Sequence, residues 1–117
     1  MKALGTTVTF FTRPDGKLIG YRAKGHTGYA EAGSDIVCAG VSALTQSTLN
    51  GLQNVLKAPV SCIIDDRSAL LEASIHPDAA DNQLEQAQLL LVTLLQGLQA
   101  IERSYPRNVR IFFEERR

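Results

Sequence analysis

A chain of 117 residues has room for one domain of ordinary size, and its 44% hydrophobic and 21% charged content is that of a folding globular protein, which excludes wholesale disorder. The 12 Lys and Arg residues balance the 12 Asp and Glu residues, so the net charge is zero. That argues against a protein whose main task is to grip nucleic acid, because such binding needs an excess of Lys and Arg to displace counterions from phosphate.

The N-terminal stretch Met1 to Pro14 lacks the continuous apolar run of a signal peptide. The longest apolar run, Leu89 to Leu95, is interrupted by Thr93 and falls far short of the ~20 residues that cross a membrane. The expected setting is the cytoplasm, away from membranes, where Cys38 and Cys62 stay reduced. Cysteine chemistry is then of more interest than cysteine cross-linking.

In chain order, Leu4 to Thr12 is rich in β-branched and aromatic residues, Arg13-Pro14-Asp15-Gly16 carries turn chemistry, and Lys17 to Ala23 resumes as a strand. Together they predict a β-hairpin. Gly25 to Gly33 holds three glycines in nine residues and predicts a loop that bends and moves. Ser34 and Asp35 offer N-cap side chains for a helix whose apolar positions are Val37, Val41, Leu44, Leu52 and Val55, with Thr48 among them, ending before Pro59.

Val60 to Ile64 and Ala69 to Ile75, separated by Asp65-Asp66-Arg67-Ser68, predict a second hairpin, with Cys62 in its core. Asp78 or Asp81 would cap a second helix carrying Leu84, Ala87, Leu91, Leu94, Leu98 and Ile101 on one face. Tyr105-Pro106 ends it, and Asn108 to Phe113 closes as a last strand. The order ββαββαβ, with no linker or low-complexity tract, predicts a single α+β domain over residues 1–117: a mainly antiparallel sheet packed with two helices.

The stretch from Gly25-His26 to Ser42 carries the most chemistry. Cys38 falls in the first turn of the predicted helix, where free backbone N–H groups and the helix dipole favour an anion. Such a position beside an imidazolium is what lowers a thiol from its usual pKa of about 8.5. His26 lies at the end of a strand, across the glycine-rich loop from that helix. Ser42, four residues on from Cys38, returns to within about 40° of its direction, and Thr45 extends the polar track. The plainer readings are a small buried cysteine, a strand-end histidine bonded locally, an Asp35 that only caps, and Ser42 and Thr45 bonding backward within the helix.

His26, Cys38, Cys62 and His76 are the side chains of a zinc site, but none falls in the close pairs such sites use. Asp65-Asp66 reads as turn chemistry and His76 as a loop residue. The phosphate-binding loops of nucleotide enzymes are absent from the sequence.

Gly25-His26-Thr27-Gly28-Tyr29, followed by Gly33-Ser34-Asp35-Ile36-Val37-Cys38-Ala39 and Val41-Ser42, resembles the signature of the ribosomal-processing cysteine protease family Prp. Gly97-Leu98 and Tyr105-Pro106 are similar to that family's second helix and its end, so the resemblance spans nearly the whole chain. It implies Cys38 as nucleophile, His26 as general base, and Asp35 and Ser42 as polar neighbours. It implies a cofactor-free endopeptidase, homodimeric and bacterial, that removes a short N-terminal extension from large-subunit ribosomal protein L-twenty-seven. Gly25, Thr27, Gly28, Tyr29, Gly33 and Ser34 would then belong to a substrate loop. Thr27 departs from the small residue more usual in the family at that position. A non-catalytic, dimeric, ribosome-associated binding module is the alternative, with Cys38 buried.

Overall fold

The structure is a computed structural model that describes residues 5–25 and 32–116, with the backbone alone for residues 32–35. The elements are β1 (Thr6–Thr12), β2 (Leu18–Lys24), α1 (Ala32–Asn50), β3 (Val60–Asp65), β4 (Leu70–Ile75), α2 (Asp81–Ser104) and β5 (Val109–Glu115). This is the predicted ββαββαβ order.

Local chemistry closes both hairpins. In the first, the Arg13 N–H donates to the Lys17 carbonyl, Gly16 takes φ +91°, and the Asp15 carboxylate accepts from the Lys17 N–H. In the second, the Asp65 carboxylate accepts from the Arg67 N–H at 3.0 Å, the turn role expected of it. The strands form one sheet in the order β3-β4-β2-β1-β5. The two hairpins join side by side through the antiparallel β2·β4 pair, while β5 returns beside β1 as the parallel pair.

Alternation sorts the sheet into two faces. Val8, Phe10, Tyr21, Ala23, Ala73 and Ile75 point to the helical layer and are buried. From α2, Leu84, Ala87, Leu91, Leu94 and Leu98 meet them, all five at predicted positions. From α1 come Val37, Val41, Thr45, Leu49 and Leu52 of the turn beyond it. The helices run antiparallel and approach at small residues: a Cβ on Gly97 would lie 3.3 Å from Leu44, and one on Gly40 would lie 3.6 Å from Ile101.

Four details differ from the sequence reading. Helix α1 begins at Ala32, so Ser34 and Asp35 lie within its first turn instead of ahead of it; a residue able to cap marks a possible helix start without fixing it. Beyond Asn50 the chain widens into a π-helical turn, Gly51–Val55, closed by the Leu56 N–H on the Gly51 carbonyl. Widening shifts the helical phase and leaves Val55 exposed. The N-cap of α2 is Ala80, whose N–H is taken by the Gln83 side chain at 3.1 Å, in place of either aspartate.

Cys62, read as core, is exposed. Its strand is an edge of the sheet, and residues 61–65 of β3 are exposed on both faces.

Candidate active site

Helix α1 carries Cys38 in its second turn, between the exposed Ile36 and the buried Val37 and Val41. The thiol is half-buried and free, at the margin of the core-facing stripe where the spacing of the apolar residues places it. Because Cα–Cβ bonds tilt toward a helix N-terminus, the sulfur leans back over the preceding turn, although its own residue lies beyond the first. Ser42 is exposed one turn further on. Thr45 does not continue an open polar track. It is 2% exposed, and its hydroxyl donates back to the carbonyl of Val41 at 2.9 Å.

The strands supply the other side of the site. At the start of β1, the buried Thr6 hydroxyl donates to the Gly25 carbonyl at 3.1 Å and lies 4.0 Å from the Cys38 sulfur. Gly25 follows the last residue of β2. Its N–H donates to the Ala69 carbonyl at 3.1 Å, and its φ of +91° is open to glycine and strained for other residues. Both polar groups of Gly25 are therefore held, and its carbonyl carbon bonds directly to residue 26. The carbonyl that leads into the candidate base is one hydroxyl away from the candidate nucleophile.

His26, Thr27, Gly28 and Tyr29 lie outside the described residues, as do the side chains of Gly33-Ser34-Asp35, whose backbone is helical. Thr6 is the participant that sequence reasoning missed. Its Thr-rich, alternating context marks a strand, and only tertiary pairing reveals that its hydroxyl faces α1 instead of solvent.

Thr6 and Gly25 also border a cleft of about 390 Å³ between α1 and the β3–β4 turn. Ala23, Leu49 and Leu71 give it apolar walls, while Gln46, Asn50, Asp65 and Asp66 add polar ones. Cys38 does not line this cleft and reaches it only through its contact with Thr6; a partly apolar groove suits an extended peptide, whose side chains need pockets and whose backbone needs polar partners. Among the described residues no group of three or more His, Cys, Asp or Glu is placed to hold a metal ion. His76 instead lies by Asp78, 3.5 Å from its carboxylate, on an exposed loop.

A half-buried helical thiol linked through Thr6 to the end of β2 is compatible with the nucleophile of a cysteine peptidase. The model of the family described as cysteine protease Prp matches residues 6–110. The ribosomal processing cysteine protease Prp of Staphylococcus aureus is 32% identical over 108 residues, covering 92% of this chain and 98% of its own. The Bacillus subtilis Prp is 30% identical over 99 residues, 83% of this chain and 87% of its own.

Among solved structures, the S. aureus protease in complex with a substrate peptide superposes with a TM-score of 0.80 at 29% identity, covering 93% of this chain and 99% of that one. The same protease with a covalently linked product peptide gives 0.78 at 30% identity, with the same coverage. A Streptococcus mutans protein gives 0.82 at 27% identity, covering 97% of each chain. The chain belongs to the Prp family of ribosomal-processing cysteine proteases, and it is a cysteine peptidase.

Proposed function

We propose that this protein, acting as a single domain, removes the short N-terminal extension of the precursor of ribosomal protein L-twenty-seven with a Cys38–His26 dyad. The observation that carries the reading is the Thr6 link, which holds the carbonyl preceding His26 beside the Cys38 sulfur. The S. aureus relative, solved with a substrate peptide and with a covalently linked product peptide, supports a peptide substrate and covalent catalysis.

In this mechanism His26 takes the Cys38 proton and the thiolate attacks the scissile carbonyl carbon. The tetrahedral intermediate collapses as the imidazolium protonates the departing amine, leaving a thioester on Cys38. Water, deprotonated by His26, then attacks the thioester; the thiolate leaves and recovers its proton. Backbone N–H groups in the first turn of α1 serve as donors for the oxyanion in this reading, since an α-helix leaves its first four N–H groups without internal partners. Asp35 and Ser42 support the dyad, and the segment containing Thr27, Gly28, Tyr29, Gly33 and Ser34 walls the peptide site. The enzyme works as a homodimer in the bacterial cytoplasm, contacting the peptide tail and no RNA, in keeping with its zero net charge.

The test is incubation of the purified protein with a peptide spanning the extended tail of the ribosomal protein, followed by mass spectrometry. The wild type cleaves at one position, whereas Cys38→Ala and His26→Ala lower the rate by at least about 10²-fold. Cleavage surviving Cys38→Ala removes this mechanism, and binding without cleavage by the wild type favours a non-catalytic module.

A further inference from the structure

We propose that Thr6 is a positioning residue for the peptidase reaction: its hydroxyl sets the distance between the nucleophile on α1 and the end of β2, from which the candidate base follows. The inference deepens the Cys38–His26 reading and rests on it.

A threonine hydroxyl has one proton and two lone pairs. The proton goes to the Gly25 carbonyl at 3.1 Å, because a carbonyl has none to give. The contact with Cys38 at 4.0 Å is then one in which the thiol donates to the Thr6 oxygen. A bonded chain runs from Cys38 through Thr6 to Gly25, joining α1, β1 and the end of β2 at one atom. Both supports are rigid. Thr6 is 6% exposed, and its N–H donates to the Asn108 carbonyl at 2.7 Å; the Gly25 N–H is held by Ala69. Reaction rates respond steeply to the placement of a nucleophile, so a hydroxyl that holds the Cys38 sulfur against the end of β2 acts on turnover more than on substrate affinity.

Two substitutions separate this role from simple packing. Thr6→Val keeps the volume and β-branching but loses both bonds; Thr6→Ser keeps the hydroxyl and loses the methyl. With the ribosomal tail peptide as substrate, Thr6→Val lowers kcat about 3- to 10-fold, the range of one to two modest hydrogen bonds, with KM within about twofold of wild type. Thr6→Ser stays within about twofold in both. Wild-type kcat in Thr6→Val overturns the proposal. So does a loss of kcat of about 3- to 10-fold in Thr6→Ser, which is the signature of packing and is measurable even where Thr6→Val fails to fold. Cys38→Ala is run in parallel. An inert Cys38→Ala beside a wild-type Thr6→Val removes the positioning role alone, whereas an active Cys38→Ala removes the dyad reading and this role with it.

Discussion

The two cysteines show how far residue type and local pattern determine chemistry. Cys38 is legible because its neighbours repeat at helical spacing, and that spacing puts the thiol at the margin of a buried face whichever partner the helix packs against. Cys62 is not legible in the same way. Alternation along β3 tells which face a side chain takes, but burial also depends on whether the strand is central or peripheral, and strand order is set by pairings remote in sequence. Cys62 opposes Ala73 at the rim of the sheet and is exposed, whereas Ala73, on the next strand inward, is fully buried. The expected outcome is that iodoacetamide labels Cys62 in the native protein. Cys62→Ser changes stability by no more than about 0.5 kcal/mol, as is usual for surface substitutions, and leaves peptide cleavage unchanged. Peptide mapping of the labelled protein and a urea titration check both. Protection of Cys62 from the reagent in a monomeric sample would contradict the edge placement.

Among the elements, α1 is held by more than apolar contact. Tyr21, fully buried on β2, donates its hydroxyl to the Thr45 carbonyl at 2.6 Å, a sheet-to-helix bond in the C-terminal half of the helix that carries Cys38. Burial, with a smaller contribution from the Cys62 side, pushes the Tyr21 phenol well above its ordinary value of 10.0. The folded state therefore keeps a proton that the unfolded chain releases above pH 10.0. The stability from this group is fully present below that pH and declines as pH rises beyond it. Tyr21→Phe loses about 1 kcal/mol at neutral pH, the usual net value of one hydrogen bond. The gap between wild type and Tyr21→Phe, followed by urea unfolding from pH 8 upward, narrows on the alkaline side. A gap that stayed level past pH 10.0 would show that the phenol ionises alike in both states. The apolar stripe of α2 was readable from its own spacing, but a sheet-to-helix bond leaves no periodic trace. The phase of α1 was readable only in part: Val37, Val41 and Leu52 are buried as expected, but Thr45 and Leu49 take the core positions expected of Leu44 and Thr48, and the π-helical turn that exposes Val55 has no separate signal in Gly51-Leu52-Gln53-Asn54-Val55.

At the scale of the whole molecule, the sheet face away from the helices closes over Phe11 without a second layer. Phe11 is fully buried there, directly opposite the bare backbone of Gly20, where a Cβ would come 3.1 Å from the Phe11 ring and 2.2 Å from the Ala73 carbonyl oxygen. The Arg116 guanidinium lies 3.5 Å from the ring centroid and that of Arg22 lies 5.4 Å from it. Glu72 and Glu114 tie these cations together: Arg22 reaches Glu72 at 3.7 Å and Glu114 at 3.4 Å, while Arg116 reaches Glu114 at 2.8 Å. The cover joins β4, β2 and β5 with the residue after β5, so it depends on a strand order that local hydropathy does not encode.

The hydrogen bond from Arg116, helped by the charges of Arg116 and Arg22 and opposed by desolvation, holds the Glu114 carboxyl below its ordinary value of 4.5. The folded state thus releases this proton more readily than the unfolded chain. Its stabilising effect is present above pH 4.5 and disappears as the pH falls through the lowered folded value. Wild type should therefore exceed Glu114→Gln in thermal midpoint near neutrality by a small margin, since the group is largely solvated, and the two should converge in acid. High salt should shrink the same margin by screening the pairs. Calorimetry of both proteins across the acid range, at low and high salt, checks this; a margin that persisted below the folded titration would assign the effect to packing over Phe11 instead of to charge.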